Sequence, residues 1–363
     1  MSTETAQASE MIETLRELSG APGVSGAEDA VRRIVVRKAR SLLRDGDRIE
    51  TDALGNVIVW RRPATGPGNS TAPVMLTAHM DEVGLLISSI DGDGTLRFKK
   101  VGGIDDRVLP GKAVRIGPGQ VPGVIGVKPI HLQKPDERGR AEEASALFID
   151  IGAETREQAE KAVKVGDWAV FATEFAALGS RRVSGKALDD RVGCTVLLEV
   201  LKGEYPVPVA GVFTAQEEVG ARGAGAAAFR LSPGLALVLE GTTCADIPGS
   251  EAHEEATRLG AGPALSVMDQ TSIAAPQVVR ALVKAAERHG IPYQWRRTTA
   301  GGNDAGPIHT SRAGVLSASV SVPCRYIHGP VAVADLGDVE TAIRLVSSFL
   351  RELPQSGLLG GTR

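Results

Sequence analysis

Residues 73–79 read PVMLTAH, and Met80 and Asp81 follow. A short apolar run that stops on an imidazole reads as a buried strand, expected here at the edge of a parallel sheet. The same pattern recurs along the chain. Strand-like runs end on Glu217 and Glu218 (FTAQEE), on Glu240 (LALVLE) and on His328 (VLSASVSVPCRYIH), while Asp189 opens a helix in GKALDDRVGC. Carboxylates and imidazoles collected at the mouths of strands suit a two-metal hydrolase, which needs a bridging carboxylate, terminal ligands and a separate base.

Outward from that strand, residues 191–201, 220–229 and 276–289 read as helices, and 207–215 and 235–240 as strands. This alternation predicts an α/β fold whose mostly parallel sheet is covered by helices on both faces. Between residues 82 and 167 the character changes, with glycines and prolines separating the short runs LLISSI, AVRIG, GVIGV and ALFIDIG. A small inserted β-barrel-like domain is expected there, dividing a catalytic domain into 1–81 and 168–363. The charged stretch QKPDERGRAEEA, 133–144, reads as a solvated loop. Near the N-terminus an unpatterned tail precedes Ile12, Leu15 and Leu18 at helical spacing. Ser25 and Glu28 then have the spacing of a capping box, ahead of a helix that turns Val31, Ile34, Val35 and Ala39 inward. A strand over 56–60 leads into the loop RRPATGPGNSTA.

Composition narrows the function classes. The 363 residues carry 23% charged side chains and a net charge of -3, so no basic field exists to hold a nucleic acid. No apolar run approaches the roughly 18 residues of a membrane span, and the N-terminal residues are polar, so a cytoplasmic protein without membrane contact is expected. The three cysteines, Cys194, Cys244 and Cys324, form no CxxC pair and suggest reduced thiols.

The motifs carry different alternatives. In His79-Met80-Asp81 the imidazole can bind a metal while a carboxylate fixes its tautomer. Asp189 and Asp190 open a helix, where one can cap while the other binds. Glu217 and Glu218 can face a metal and a substrate water separately only if the backbone turns, which Gly220 would allow. Glu240 at a strand end needs a cation, a donor or solvent. Cys324 lies four residues before His328, a zinc-site spacing, although a lone cysteine beside a core strand is usually packed. His131, His253, His289 and His309 show no comparable pattern. No phosphate loop or GxGxxG fingerprint occurs.

Eight motifs in order, APGVSGAE, GNVIVW, AHMDEVG, VGGIDDR, GKALDDRVGC, TAQEEVGARGA, GGNDAG and SVPCRYIH, resemble the metallopeptidase family of tetrahedral (TET) aminopeptidases and glutamyl aminopeptidases, some of whose members are labelled endoglucanases. The resemblance runs from about residue 12 to about residue 350. It implies an aminopeptidase acting on short peptides, with two divalent metals per subunit, zinc or cobalt, in a homo-oligomer such as a tetrahedral dodecamer. It makes His79 and Glu240 ligands of one metal, Glu218 and His328 ligands of the other, and Asp189 the bridge. Asp81 would orient His79, and Glu217 would be the general base for the metal-bridging water. The inserted domain would serve oligomerisation and site access. Many members have aspartate in place of Glu240, a position that in the wider clan bears on amino- versus carboxypeptidase action; a carboxypeptidase-type or deacylating hydrolase is therefore an alternative. Asp246 also fits the family pattern, as a supporting group or as the ligand itself. A glycoside hydrolase needs only two carboxylates and would leave the histidines idle; an inactive assembly protein would not need both Glu217 and Glu218. Arg191, Arg222 and Arg325 are candidate anchors for an acidic substrate side chain.

Overall fold

A computed structural model describes residues 3–64, 72–135, 138–251 and 253–359. Most of the RRPATGPGNSTA loop lies outside them. Helices α1 (Thr3–Gly20) and α2 (Asp29–Arg40) come first, then strands β1 (Arg48–Thr51), β2 (Val57–Arg61) and β3 (Val74–His79). Helix α1 starts inside the segment read as an unpatterned tail, and it buries Met11, Leu15 and Leu18. Six strands then close a barrel: β4 (Gly84–Ile90), β5 (Leu96–Val101), β6 (Ala113–Ile116), β7 (Val121–Gly126), β8 (Phe148–Asp150) and β9 (Trp168–Phe171). A single helical turn, α3 (Arg156–Ala159), precedes β9. The barrel's last strand thus lies beyond residue 167, where its end was expected.

The chain re-enters the α/β unit with β10 (Ala176–Leu178), β11 (Arg182–Gly185), α4 (Leu188–Leu201), β12 (Val209–Thr214), α5 (Arg222–Leu231) and β13 (Leu235–Thr243). It finishes with β14 (Ala264–Leu265), α6 (Pro276–Arg288), β15 (Gln294–Trp295), α7 (Ala305–His309), β16 (Leu316–Arg325), β17 (Ala332–Asp335) and α8 (Leu336–Glu352). The sheet order is β1-β2-β12-β3-β13-β16-β17-β11-β10, with β14 and β15 attached at β16. Along that order the four central strands, β12-β3-β13-β16, pair in parallel and the flanking ladders are antiparallel; the short β14 pairs in parallel with β15 and antiparallel with β16.

Strand β3 is not an edge strand. It runs between β12 and β13, and all six of its residues are buried. Its alternate side chains explain why: Val74, Leu76 and Ala78 join the core that holds α4 and α8, while Met75 packs with Ala224, Ala227 and Ala228 of α5 on the other face. Burial on both faces marks an interior parallel strand, and helices cover each side. The barrel has a separate core built on Leu85, Ile87, Phe98, Ile116, Ile125 and Ile149.

Candidate metal centre

The carboxyl ends of the four parallel strands converge on one crevice, the usual ligand position of an open α/β sheet. His79 is the last residue of β3, Glu217 and Glu218 follow β12, His328 follows β16, and Asp189 lies in the first turn of α4. Glu240 differs from expectation: it sits inside β13, which continues through Gly241, Thr242 and Thr243 because they stay paired with Val322, Pro323 and Cys324 of β16.

The structure brings the named donors into two groups that share Asp189: His79, Asp189 and Glu240, then Asp189, Glu218 and His328, with ligand atoms in each group all within 4.8 Å of one another. His79 Nε2 lies 3.3 Å from Asp189 Oδ1 and 3.3 Å from Glu240 Oε1. His328 Nε2 lies 3.6 Å from Asp189 Oδ2 and 3.3 Å from Glu218 Oε2. Each imidazole is held from behind by its Nδ1. For His79 the partners are the Asp81 carbonyl at 3.1 Å and the Asp81 carboxylate at 3.4 Å. For His328 the partner is the Gly103 carbonyl at 3.0 Å. A carbonyl oxygen only accepts, so Nδ1 carries a proton and Nε2 is the ring nitrogen that faces the carboxylates.

The two adjacent aspartates divide their work. Asp190 Oδ1 accepts from Gly193 N at 2.9 Å, a helix-capping bond, and its Oδ2 accepts from His79 N at 3.0 Å. Asp189 reaches both histidines.

The glutamate pair is set by a turn at Gln216, whose φ is +60°, rather than at Gly220, which lies too late in the chain to separate Glu217 from Glu218. Four consecutive amides across that turn are each taken by a side chain. Ala215 N donates to Asn56 Oδ1 at 2.9 Å and Gln216 N to Glu28 Oε1 at 3.2 Å. Glu217 N and Glu218 N donate to Asp81 Oδ1 and Oδ2 at 2.9 and 3.1 Å. Asp81 therefore positions both glutamates as well as His79. The capping box read into Ser25 and Glu28 is also corrected. Ser25 Oγ donates to Asp81 Oδ2 at 2.6 Å, and Glu28 accepts from Gly26 and Gln216; the site has taken both side chains from α2.

Charge in the crevice is unbalanced. Burial pushes Glu217 and Asp190 well above the usual carboxylate range, with Glu240 adding to both. Burial likewise raises Glu218 to about 7 and Glu240 to about 8. Asp189 is the exception: burial works against its charge, but hydrogen bonds from His328 and His79 outweigh it and hold the carboxyl well below its ordinary value. The bond to Asp189 raises His328 to about 9. Carboxylates in this number around two imidazoles call for cations, and nitrogen and oxygen donors in two sets of three fit divalent metals.

The other candidates join neither donor group. Asp246 is paired with Arg325, whose Nε and Nη2 donate to its two oxygens at 2.8 and 2.7 Å. Arg191 is a core residue, and Arg222 Nη1 donates to Gln216 Oε1 at 3.5 Å. Cys324 packs in the large core, and burial drives its thiol well above the ordinary value; it joins neither donor group. Two features had no individual signal in the motifs. Asp304, 1% exposed, accepts from Thr214 Oγ1 at 2.6 Å, leaves Oδ1 without a partner among the described residues, and is raised by burial to about 6. Glu82 accepts from Lys186 Nζ at 2.7 and 2.9 Å, from Arg191 Nη2 at 3.2 Å and from Gly23 N at 2.9 Å, forming a buried ionic cluster.

The sequence profile of the M42 glutamyl aminopeptidase family matches residues 55–345. A lysyl aminopeptidase of Pyrococcus furiosus is 33% identical over 352 residues, covering 94% of this chain and 97% of that protein. An aminopeptidase from the archaeon Desulfurococcus kamchatkensis superposes with a TM-score of 0.91 at 38% identity, covering 98% of this chain and 99% of that one. A TET peptidase of Pyrococcus horikoshii, which can assemble into a tetrahedron or a large octahedral shell, superposes with a TM-score of 0.82 at 35% identity over 94% of this chain and 99% of its own.

Proposed function

The chain belongs to the M42 glutamyl aminopeptidase family and is a metal-dependent aminopeptidase; from that premise we propose that it releases N-terminal residues from short peptides using two divalent cations per subunit, zinc or cobalt, and Glu217 as general base. The observation that carries the reading is the sharing of Asp189 between two three-residue donor groups. His79 and Glu240 would hold one ion, Glu218 and His328 the other, with Asp189 across both. Two such ions supply positive charge that polarises a peptide carbonyl and acidifies a water molecule.

The chain's own residues do the rest. Asp81 fixes the His79 ring and, through the amides of residues 217 and 218, the direction of both glutamates. Glu217 takes a proton from the attacking water and delivers it to the leaving amine, a role worth about 10² to 10⁴ in rate. The carboxylate-rich mouth attracts a free α-ammonium group, consistent with exopeptidase action. Glu240, longer by one carbon than the aspartate of many relatives, favours one competing reading, a carboxypeptidase-type or deacylating hydrolase. We assign the enzyme to the cytoplasm as a homo-oligomer, in keeping with the barrel's exposed Leu86, Val124, Ile130 and Leu132. No helix among the described residues is long and apolar enough to cross a membrane.

Hydrolysis of paired peptides with free and acetylated N-termini tests this, run with zinc or cobalt, with a chelator, and with Glu217→Gln. Aminopeptidase chemistry predicts loss of activity on acetylation, on chelation and on substitution. Cleavage of acetylated peptides from the carboxyl end would replace it with the carboxypeptidase reading.

A further inference from the structure

The two imidazoles of the centre are supported from different parts of the molecule. His79 is 2% exposed and its Nδ1 is held by Asp81, two residues away on the same segment. The side chain of His328 is 41% exposed, and it stands on a turn where Tyr326 and His328 itself both have positive φ, 62° and 56°. Its only Nδ1 partner among the described residues is the carbonyl of Gly103, 225 positions away in the inserted barrel.

That carbonyl is rigidly presented. Gly102 and Gly103 follow β5, and Ile104 is anchored in the barrel core. Lys100 Nζ donates to the Ile104 carbonyl at 2.7 Å and to Asp106 Oδ1 at 2.5 Å, while Asp106 Oδ2 accepts from Ala144 N at 2.9 Å. Asp105 Oδ1 accepts from Arg107 N at 2.9 Å, closing the next turn. Both glycines sit close to the centre. A Cβ on Gly103 would stand 3.3 Å from His328 Nδ1, and one on Gly102, at φ +79°, would meet Val83 Cγ1 at 2.7 Å and Glu218 Cβ at 3.4 Å. The loop thus lies close to both donors that belong to the second group alone, His328 and Glu218.

We propose that the barrel loop 101–104 is the positioning element of the second metal position: the Gly103 carbonyl fixes the tautomer and direction of the His328 ring, so the docking of the barrel sets the affinity of that position and leaves the His79 and Glu240 position untouched. The proposal rests on the dimetal reading above. A hydrogen bond of this kind behind a metal-binding imidazole changes affinity by about 10- to 100-fold.

The test is competitive titration of the metal-free chain with zinc against a chelating indicator. Wild type takes two equivalents. Gly103→Ala pushes the ring by a few tenths of an ångström and should weaken one equivalent about 10-fold or more, leaving the other and the metal-free thermal midpoint unchanged. Gly103→Val should weaken the same equivalent further. The barrel control Gly92→Ala, whose Cβ meets nothing within 4 Å, should change neither. In a His328→Ala background the Gly103→Ala effect should vanish, because the coupling runs through that ring. Equal weakening of both equivalents, no weakening by either Gly103 variant, or an effect that persists without His328 would overturn the proposal. A wild-type chain that takes fewer than two ions would overturn it together with the dimetal reading, which separates that failure from the others.

Discussion

Replacing Glu82 by glutamine should destabilise the protein by about 3–5 kcal/mol, the range for breaking a buried ion pair from one side. The structure gives the reason. Glu82, Lys186 and Arg191 are 3%, 3% and 0% exposed, and the Glu82 carboxylate faces both cations, Lys186 Nζ at 2.7 Å and Arg191 Nη2 at 3.2 Å. At such separations each contact has a Coulomb energy of about 5 kcal/mol in an effective dielectric of about 20. Glutamine can still accept hydrogen bonds, but it leaves two buried charges without a counter-ion. Arg191 Nη1 already finds no acceptor among the described residues. Urea unfolding of the metal-free chain, followed by fluorescence of Trp60, Trp168 and Trp295, measures the loss. With an m-value of about 3 kcal/mol/M the midpoint should fall by about 1 M or more. Adding Lys186→Met removes one stranded cation and should recover part of the loss. A midpoint within about 0.2 M of wild type for Glu82→Gln would refute the reasoning, since no buried charge cluster is that inexpensive to break.

Two further outcomes follow from the same geometry. Glu217→Gln should lower kcat by about 10² to 10⁴ while zinc stoichiometry, read by metal analysis of the purified protein, stays at the wild-type value; a loss of metal would recast Glu217 as a ligand. In the metal-free protein, His328 at about 9, Glu218 at about 7 and Glu240 at about 8 all lie above their unfolded values, so the folded chain binds the extra protons. Stability that these groups lend is present at low pH and lost on going from about pH 5 to about pH 9. Thermal midpoints of the metal-free chain should therefore fall across that window, and saturating zinc should flatten the decline; a rising metal-free midpoint would contradict the assignment of these groups to one crowded cluster.

What could be read from the sequence was whatever local patterning determines. His79 could be found because an apolar run stops on it, and Glu217 and Glu218 because two carboxylates one residue beyond VFTA need an explanation. The barrel was legible in its glycine and proline punctuation. Features set by distant partners left no local trace. The Gln216 turn is held by Asn56, Glu28 and Asp81, three residues from three other segments. Ser25 carries the spacing of a helix cap, yet tertiary contact gives its hydroxyl to Asp81. Strand β3 reads as short and apolar whether it lies at an edge or in the centre, and only its two strand neighbours, β12 and β13, decide. Asp304 sits in a glycine-rich motif that resembles a loop, and its burial comes from packing of α7 against α5.

The central claim is that one carboxylate, Asp189, joins two metal positions. Metal content of Asp189→Asn beside Glu240→Ala and His328→Ala, each purified metal-free and re-equilibrated with zinc, tests it most directly. The account predicts two ions per wild-type chain, severe loss of both in Asp189→Asn, and loss of one in each of the other variants. Retention of a full-affinity ion by Asp189→Asn would contradict it, because the two positions would then be independent.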